Sequence, residues 1–282
     1  MLRDVLDNLA CPVCGEPLAE RSGALSCGLR HSFDVARQGY VNLLPGDASP
    51  GTADTPAMVE ARATFLGRGH FSATADAVAE AAAEALADGA PGCAVEIGAG
   101  TGYYLAAALD RLPERSGLAL DISKAAAKRA ARAHERIGAV VCDAWGRLPV
   151  RDGAAALVLD VFAPRNAAEF ARILAPGGAL VVVTPTQRHL HEIVGPLGMI
   201  AVDAEKDRRL AEQLGDVFEL TGSVAVEERM MLGRDDLIAV ASMGPSAWHA
   251  GEELAARVDA LALPQEVTLS VIVSAYRPTG SR

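Results

Sequence analysis

The chain has 282 residues, of which 50% are apolar, and a formal net charge of −10 at pH 7. This length allows one large globular domain and a smaller unit, while the negative charge disfavours binding a polyanion through bulk charge alone. No apolar run approaches the ~18–20 residues of a membrane span. The first residues, MLRDVLDNLA, lack the apolar core of a secretion signal. We therefore expect a cytoplasmic protein with no membrane partner.

The first feature along the chain is a cluster of three cysteines and a histidine. Cys11 and Cys14 are two residues apart, and Cys27 and His31 follow after twelve more residues. Zinc takes four such ligands tetrahedrally in closed structural sites, held by two tight turns. Free core cysteines and a redox Cys-x-x-Cys are the alternatives, although a thioredoxin-like context is missing for the second. The spacing predicts a Cys3His zinc site whose metal supplies much of the folding energy of a small module.

The next segments read as a linker followed by helices. Residues 45–56 are rich in Gly, Pro, Asp and Ser, which predicts a linker. Pro56 begins a predicted helix that ends near Gly67 and Gly69, and a second, Ala-rich helix is expected over about 72–88.

A regular alternation of apolar strands and helices follows. Strands are predicted at 93–97, 117–121, 138–143, 154–162 and 179–185. The last third adds helices near 203–214, 234–241 and 250–260 and strands near 217–228 and 266–276. Continuous apolar strands separated by helices favour a parallel sheet covered on both faces.

A glycine-rich loop, GAGTG at residues 98–102, joins the first of these strands to a helix. Glycines are needed where the backbone turns sharply and approaches a ligand without an obstructing Cβ. Tyr103 stands where a dinucleotide fingerprint would have its third glycine. The loop therefore predicts a nucleotide-derived cofactor without identifying it.

Three carboxylates favour one cofactor over the others. Glu96 precedes the loop, Asp121 ends the second strand about 20 residues on, and Asp143 ends the third strand. A carboxylate at the position of Asp121 can accept both ribose hydroxyls of an adenosine. Asp143 is placed where an adenine amino group would lie. The pattern favours S-adenosyl-L-methionine, because its positively charged sulfonium is compatible with the negative charge of Glu96. A nicotinamide cofactor and a structural turn that binds no ligand are the alternatives.

The fourth predicted strand ends in Asp160-Val-Phe-Ala-Pro164. Class I methyltransferases often place groups that face the substrate at the end of this strand. The segment lacks the Pro-Pro-aromatic signature that grips exocyclic amino groups, which disfavours such a target. Asp160 is a candidate substrate contact and the first candidate for a proton acceptor, and a solvated strand end is the alternative.

The chain as a whole resembles the bacterial 23S rRNA guanine-N1 methyltransferases, in the branch associated with resistance to tylosin-type macrolides. The segments that carry the resemblance are CPVCGEPL, HSFDVARQGYVNLL, ADTPAMVEAR, VEIGAGTGYY, DVFAPRN, RILAPGGALVVVTP, MGPSAWH and EVTLSV. The order of zinc module, helical linker and methyltransferase domain is itself distinctive.

The resemblance implies a fold and a domain organisation. The expected fold class is α/β: a class I S-adenosylmethionine-dependent methyltransferase, Rossmann-like, with a mostly parallel seven-stranded sheet and an N-terminal zinc-binding module. We expect a zinc-binding RNA-recognition module at 1–44, a linker and helical segment at 45–90, and the methyltransferase domain at 91–282.

The resemblance also implies the site residues. The zinc ligands fall on the cysteines and histidine named above. The expected cofactor contacts are Phe71, Glu96, Gly98, Ala99, Gly100, Thr101, Gly102, Tyr103, Asp121, Ile122, Asp143, Ala144 and His189. Phe71 stands where relatives often carry Tyr, so a hydrogen bond made by that hydroxyl is missing here. His189 is the second candidate for the proton acceptor, after Asp160.

Finally, the resemblance implies partners. Two subunits would form a cleft that receives a domain II hairpin of 23S rRNA, and the zinc modules would recognise this hairpin. The target guanine would lie in the hairpin loop, which lines the tunnel where macrolides bind. Arg21, Arg30 and Arg37 lie in or beside the module and could grip phosphates, or only solubilise the surface. The rival readings are a small-molecule or protein methyltransferase with a structural zinc knob, and a catalytically silent zinc-bearing RNA-binding protein.

Overall fold

The computed structural model describes residues 2–45, 51, 53–201, 214–244 and 253–279. Most of the helix predicted near 203–214 and most of the segment MGPSAWH lie outside these residues. Among the described helices, none combines the length and apolar character needed to cross a membrane.

The N-terminal part is a small module of short elements. A 3-10 helix over Leu2–Asn8 is followed by strands β1 (Ala19–Arg21), β2 (Ala24–Ser26), β3 (Ser32–Asp34) and β4 (Tyr40–Asn42). Strands β1 to β3 form an antiparallel sheet. Ser22 and Gly23 have φ of 51° and 83°, the left-handed values of a two-residue hairpin turn, so a tight turn joins β1 to β2.

The rest of the described chain alternates helices and strands. The helices are α1 (Pro56–Gly67), α2 (Ser72–Ala85), α3 (Tyr103–Arg111), α4 (Lys124–Ala130), α5 (Ala167–Ile173), α6 (His191–Leu197), α7 (Arg234–Ser242) and α8 (Glu253–Asp259). The strands are β5 (Cys93–Ile97), β6 (Gly117–Asp121), β7 (Ile137–Val141), β8 (Ala155–Val161), β9 (Leu174–Pro185), β10 (Phe218–Leu232) and β11 (Gln265–Pro278). The Thr55 hydroxyl caps α1 by accepting from the Met58 N–H, with Pro56 at the first helical position.

These strands form one large sheet in the order β10-β11-β9-β8-β5-β6-β7-β4. The pairs from β9 to β4 are parallel, and β11 is antiparallel to both of its neighbours. Seven strands come from the part of the chain after residue 91, as expected, but the sheet has an eighth strand, because β4 of the module adds to the edge at β7. The strand order reverses at β5 and β8, which places a crevice at the carboxyl ends of these two strands.

Successive residues of the central strands point to opposite faces and build two cores. On β6, Leu118 and Leu120 face one core and Ala119 faces the other. The module contributes Val5 and Leu9, both fully buried, to the first of these cores. Burying an aliphatic side chain stabilises by about 1.5–3 kcal/mol, so part of the module's stability comes from the sheet in addition to the metal.

Candidate functional site

The four predicted metal ligands lie together at the two turns of the module. Nδ1 of His31 lies 3.5 Å from Sγ of Cys11 and 3.4 Å from Sγ of Cys27. Sγ of Cys14 lies 3.7 Å from Sγ of Cys27. A tetrahedral zinc with bonds of about 2.3 Å to sulfur and about 2.0 Å to nitrogen needs sulfur–sulfur separations of about 3.8 Å and sulfur–nitrogen separations of about 3.5 Å. The donors therefore fit a closed zinc site with no position left for a catalytic water.

A cleft of about 390 Å³ lies at the crevice between β5 and β8. Its lining comes from the glycine loop, from the ends of β8 and β9, and from α1, α6 and α7. The predicted cofactor contacts that line it are Phe71, Glu96, Gly98, Ala99, Gly100, Thr101, Tyr103 and His189. The structure thus joins residues from distant parts of the sequence around one cleft.

The glycine loop has a backbone that only glycine adopts easily. Gly98, Gly100 and Gly102 have φ of 59°, 53° and 76°, all in the left-handed region. A Cβ on Gly98 would lie 2.9 Å from Cβ of Ala163, and one on Gly100 would lie 2.8 Å from Nη1 of Arg62. The loop is therefore packed against neighbouring segments on more than one side, and a side chain there would disturb the cleft.

Asp121 is connected to the cleft through the glycine loop. The Gly100 N–H donates to its Oδ2 and the Ser123 N–H to its Oδ1, each at 2.8 Å. Burial raises the pKa of Asp121, and these two hydrogen bonds oppose the rise. Each oxygen keeps a second lone pair, so the carboxylate can still accept hydroxyls of a ribose, as its position at the strand end predicts.

Glu96 is a buried carboxyl, 1% exposed, at the base of the cleft. The Leu105 N–H donates to its Oε2 at 3.2 Å. Burial raises the pKa of Glu96 to about 8, and nearby Asp121 adds to the rise while Arg62 opposes it. A cationic ligand would favour the carboxylate form of Glu96, which suits a donor that carries a sulfonium and an ammonium group.

His189 packs against Phe71 on the cleft wall, with ring centroids 5.7 Å apart. Burial lowers the pKa of His189 to about 4, so the imidazole is neutral at physiological pH. The Ser270 N–H donates to Nδ1 at 3.3 Å, which leaves the ring proton on Nε2. Without a free lone pair, His189 is poorly suited to accept a proton, and the geometry favours packing over the catalytic role expected as an alternative.

Asp160 does not line the cleft. Its side chain is fully buried, and Oδ1 lies 3.8 Å from Nε of Arg165, whose side chain is 6% exposed. Burial raises the pKa of Asp160, and Arg165 opposes the rise. Both carboxyl oxygens of Asp160 and Nε of Arg165 lack a hydrogen-bond partner among the described residues. Because the Asp160 side chain is buried and outside the cleft lining, the geometry gives it no direct access to a substrate in the cleft.

The remaining predicted contacts lie beside the cleft. Gly102 caps the N-terminus of α3. Ile122 follows β6, while Asp143 and Ala144 follow β7, all at the carboxyl edge of the sheet. Asp143 accepts the Trp145 N–H at 2.9 Å. These residues are outside the cleft lining, so their contact with the cofactor stays a prediction.

Arg62 is a cleft residue that the sequence analysis did not identify. It lies on α1 and is the only Lys or Arg among the described residues that line the cleft. Its guanidinium pairs with Asp54 at 2.5 Å and donates to the Met243 carbonyl at 2.6 Å. The only available signal was its place in the segment ADTPAMVEAR, because nothing in the local pattern brings α1 next to the glycine loop.

Comparison with known proteins identifies both parts of the chain. A family model described as "RlmA, N-terminal" matches residues 9–48, and one described as "Methyltransferase domain" matches residues 94–178. The 23S rRNA (guanine(748)-N(1))-methyltransferase of Streptomyces fradiae is 48% identical over 99% of this chain and 99% of its own length. A protein of Micromonospora griseorubida, provisionally named 23S rRNA (guanine-N(1)-)-methyltransferase, is 49% identical over 98% of this chain and 99% of its own length.

Solved structures give weaker matches. S-adenosylmethionine-dependent methyltransferases from Thiobacillus denitrificans and Geobacter sulfurreducens, both in complex with S-adenosylhomocysteine, are 16% and 18% identical, with TM-scores of 0.44 and 0.42. Each match covers 71% of this chain and 90% of the solved chain. At these values the likeness has no bearing on function.

The fold and the two sites define a class I S-adenosyl-L-methionine-dependent methyltransferase with an N-terminal zinc ribbon. Its cofactor is S-adenosyl-L-methionine, and zinc is its structural metal. The chain belongs to the bacterial 23S rRNA (guanine-N1)-methyltransferase family, which confirms the resemblance seen in the sequence.

Proposed function

We propose that this protein methylates N1 of a guanine in a domain II hairpin loop of 23S rRNA, at the tunnel where macrolides bind, and so contributes to tylosin-type resistance. The observation that carries the proposal is the full-length similarity to the Streptomyces fradiae protein, whose name specifies guanine 748. The complete zinc ligand set and the complete glycine loop support it, because both parts of the family architecture are present in this chain.

Bound S-adenosyl-L-methionine supplies a methyl group on a positively charged sulfur. The glycine loop would let the backbone approach it, and Asp121 would hold the ribose. Arg62 would hold the carboxylate of the methionine part, since it is the only Lys or Arg among the described residues of the cleft lining. Glu96 would balance the positive charge at the base of the cleft.

Guanine N1 carries a proton on the Watson–Crick edge, so the base must leave its stack before it reacts. In the transfer, a bond would form between N1 and the methyl carbon as the methyl–sulfur bond breaks, and the N1 proton would pass to water. Asp160 and His189 do not accept it, because one faces Arg165 and the other has its Nδ1 lone pair occupied. The protein then accelerates the reaction mainly by alignment of the two reactants.

The zinc ribbon recognises the RNA in this proposal. Residues 1–44 form the recognition module, 45–90 the linker and helical segment, and 91–282 the methyltransferase domain, with two subunits forming the cleft for the hairpin. Arg21, Arg30 and Arg37 are all exposed, as phosphate contacts require.

Primer extension on unmethylated 23S rRNA tests the proposal. N1-methylation blocks the Watson–Crick edge, so reverse transcriptase should stop one nucleotide before the target in the domain II hairpin. We expect a single stop that depends on S-adenosyl-L-methionine and disappears when zinc is chelated. No stop anywhere on the rRNA, with cofactor binding intact, would overturn the proposal and favour a small-molecule substrate.

A further inference from the structure

Phe162, the residue after β8, combines two unfavourable features at the cleft. Its φ is 55°, a left-handed value that a bulky L side chain rarely adopts. Its side chain is 43% exposed although it is a large aromatic residue, and it lines the cleft with the glycine loop. Local strain together with an exposed ring at a ligand site is typical of a residue kept for function.

Neighbouring aromatic rings fix the orientation of the Phe162 ring. It stacks on His189 with centroids 5.8 Å apart and an interplanar angle of 30°. His189 packs on Phe71 at 5.7 Å, and Phe71 packs edge-to-face on the fully buried Phe65 at 5.2 Å. A row of rings therefore runs from the core to the cleft, and the free part of the Phe162 ring is on the side away from His189.

The backbone on either side of Phe162 is also held in place. Ala163 packs so closely on the glycine loop that a Cβ on Gly98 would lie 2.9 Å from its own Cβ. Asp160 and Arg165, a buried ion pair whose nearest atoms are 3.8 Å apart, lie on either side of the same turn. The strained conformation is thus imposed by its surroundings, and it holds the ring beside the loop that binds the cofactor.

We propose that Phe162 is the surface on which the acceptor guanine stacks during methyl transfer, an inference that rests on the proposed function. A guanine that leaves the RNA stack loses its neighbours, and an aromatic face replaces them. Stacking occupies the face of the base and leaves its Watson–Crick edge free to meet the methyl group. The ligand of this subsite is therefore a planar purine ring, and Phe162 is a substrate-positioning residue.

The test measures single-turnover methyl transfer to unmethylated 23S rRNA by the full-length protein, together with the Kd for S-adenosylhomocysteine. Phe162→Leu keeps an apolar side chain without an aromatic face, and we expect it to lower transfer efficiency about 10- to 100-fold, as loss of base stacking should. Phe162→Tyr keeps the face and should stay within about threefold of the wild type. The Kd for S-adenosylhomocysteine should be unchanged in both variants.

Two further variants separate function from folding. Phe162→Gly removes the disfavoured side chain from a left-handed position, so its thermal midpoint should not fall although transfer is lost. Met231→Ala removes another exposed apolar side chain, 56% exposed and on β10, and should transfer at the wild-type rate.

Three results would overturn the inference, and they are distinguishable. Wild-type transfer by Phe162→Leu would show that no aromatic face is needed. A parallel loss of S-adenosylhomocysteine binding would place Phe162 in the cofactor site instead. Failure of the wild-type protein itself to methylate the rRNA, with cofactor still bound, would remove the proposed function and this inference together.

Discussion

The zinc centre and the methyl-transfer cleft are assembled in opposite ways. All four zinc ligands lie between residues 11 and 31, on two turns of one small module. The lining of the cleft extends from Arg62 to Gly244 and comes from five or more separate segments. The zinc centre is therefore determined by short spacings, whereas the cleft exists only because parallel strands end at one edge of a sheet.

The zinc ribbon and the cleft belong to one sheet, but their functional residues lie in different parts of it. The ribbon contributes β4 to the sheet and Val5 and Leu9 to one of its cores, yet the cleft residues lie at the carboxyl ends of β5, β8 and β9. We therefore expect loss of the metal to abolish RNA recognition while cofactor binding survives. Three predictions test this separation, in order of decreasing effect.

The largest effect should follow removal of a zinc ligand. Structural zinc contributes on the order of 10 kcal/mol to small zinc modules, so Cys27→Ser should lose the metal and methylation of 23S rRNA. The Kd for S-adenosylhomocysteine should rise by no more than a few-fold, because none of the described residues that line the cleft belongs to the ribbon. Elemental analysis measures zinc, and calorimetry measures cofactor binding.

Cys93→Ala is the matched control, because Cys93 is a buried cysteine of β5 outside the metal cluster. It should keep one zinc per chain. If Cys27→Ser lost cofactor binding as completely as RNA methylation, the two sites would not be separable.

An intermediate effect is expected at Arg62. Charge-assisted hydrogen bonds contribute about 1.5–3 kcal/mol, so Arg62→Ala should raise the Kd for S-adenosylhomocysteine about 10- to 100-fold. Zinc content should not change. Arg129→Ala is the control. Arg129 lies on α4 and pairs with Glu60, which is on α1 as Arg62 is. The Arg129 side chain is half exposed and lies outside the cleft lining. Equal affinity of the two variants would show that Arg62 does not hold the cofactor.

The smallest effect concerns the pH dependence of stability. Glu96 has a pKa raised to about 8 in the folded protein from an ordinary value of 4.5. The stability that its protonated form contributes is complete below about pH 4.5 and is lost as the pH rises towards about 8. Between pH 6 and pH 8, the free energy of unfolding of the cofactor-free protein should fall by about 2 kcal/mol more than that of Glu96→Gln.

Urea unfolding at several pH values measures this difference. Glu80→Gln replaces an exposed carboxyl on α2 and should follow the wild-type profile. Parallel profiles for the wild type and Glu96→Gln would show that burial does not hold Glu96 protonated in the cofactor-free protein.

The sequence by itself determined the features that depend on neighbours along the chain. Strand 93–97 and strand 117–121 were predicted at their observed bounds, because buried parallel strands are continuous apolar runs. The zinc ligands and the glycine loop could be predicted equally well from the sequence, because turns and ligand spacings depend on residues that are close together in the chain. The family followed from the same local segments taken together.

Only the tertiary structure decided which side chains face the cleft. Asp160 stands at a strand end, where the pattern predicted a substrate contact, but the chain returns Arg165 to it and the carboxylate is buried. Arg62 reaches the glycine loop because α1 packs beside that loop. Strand β4 joins the sheet because it pairs with β7. These outcomes depend on contacts between residues far apart in sequence, and no local periodicity or spacing encodes the direction in which a side chain then points.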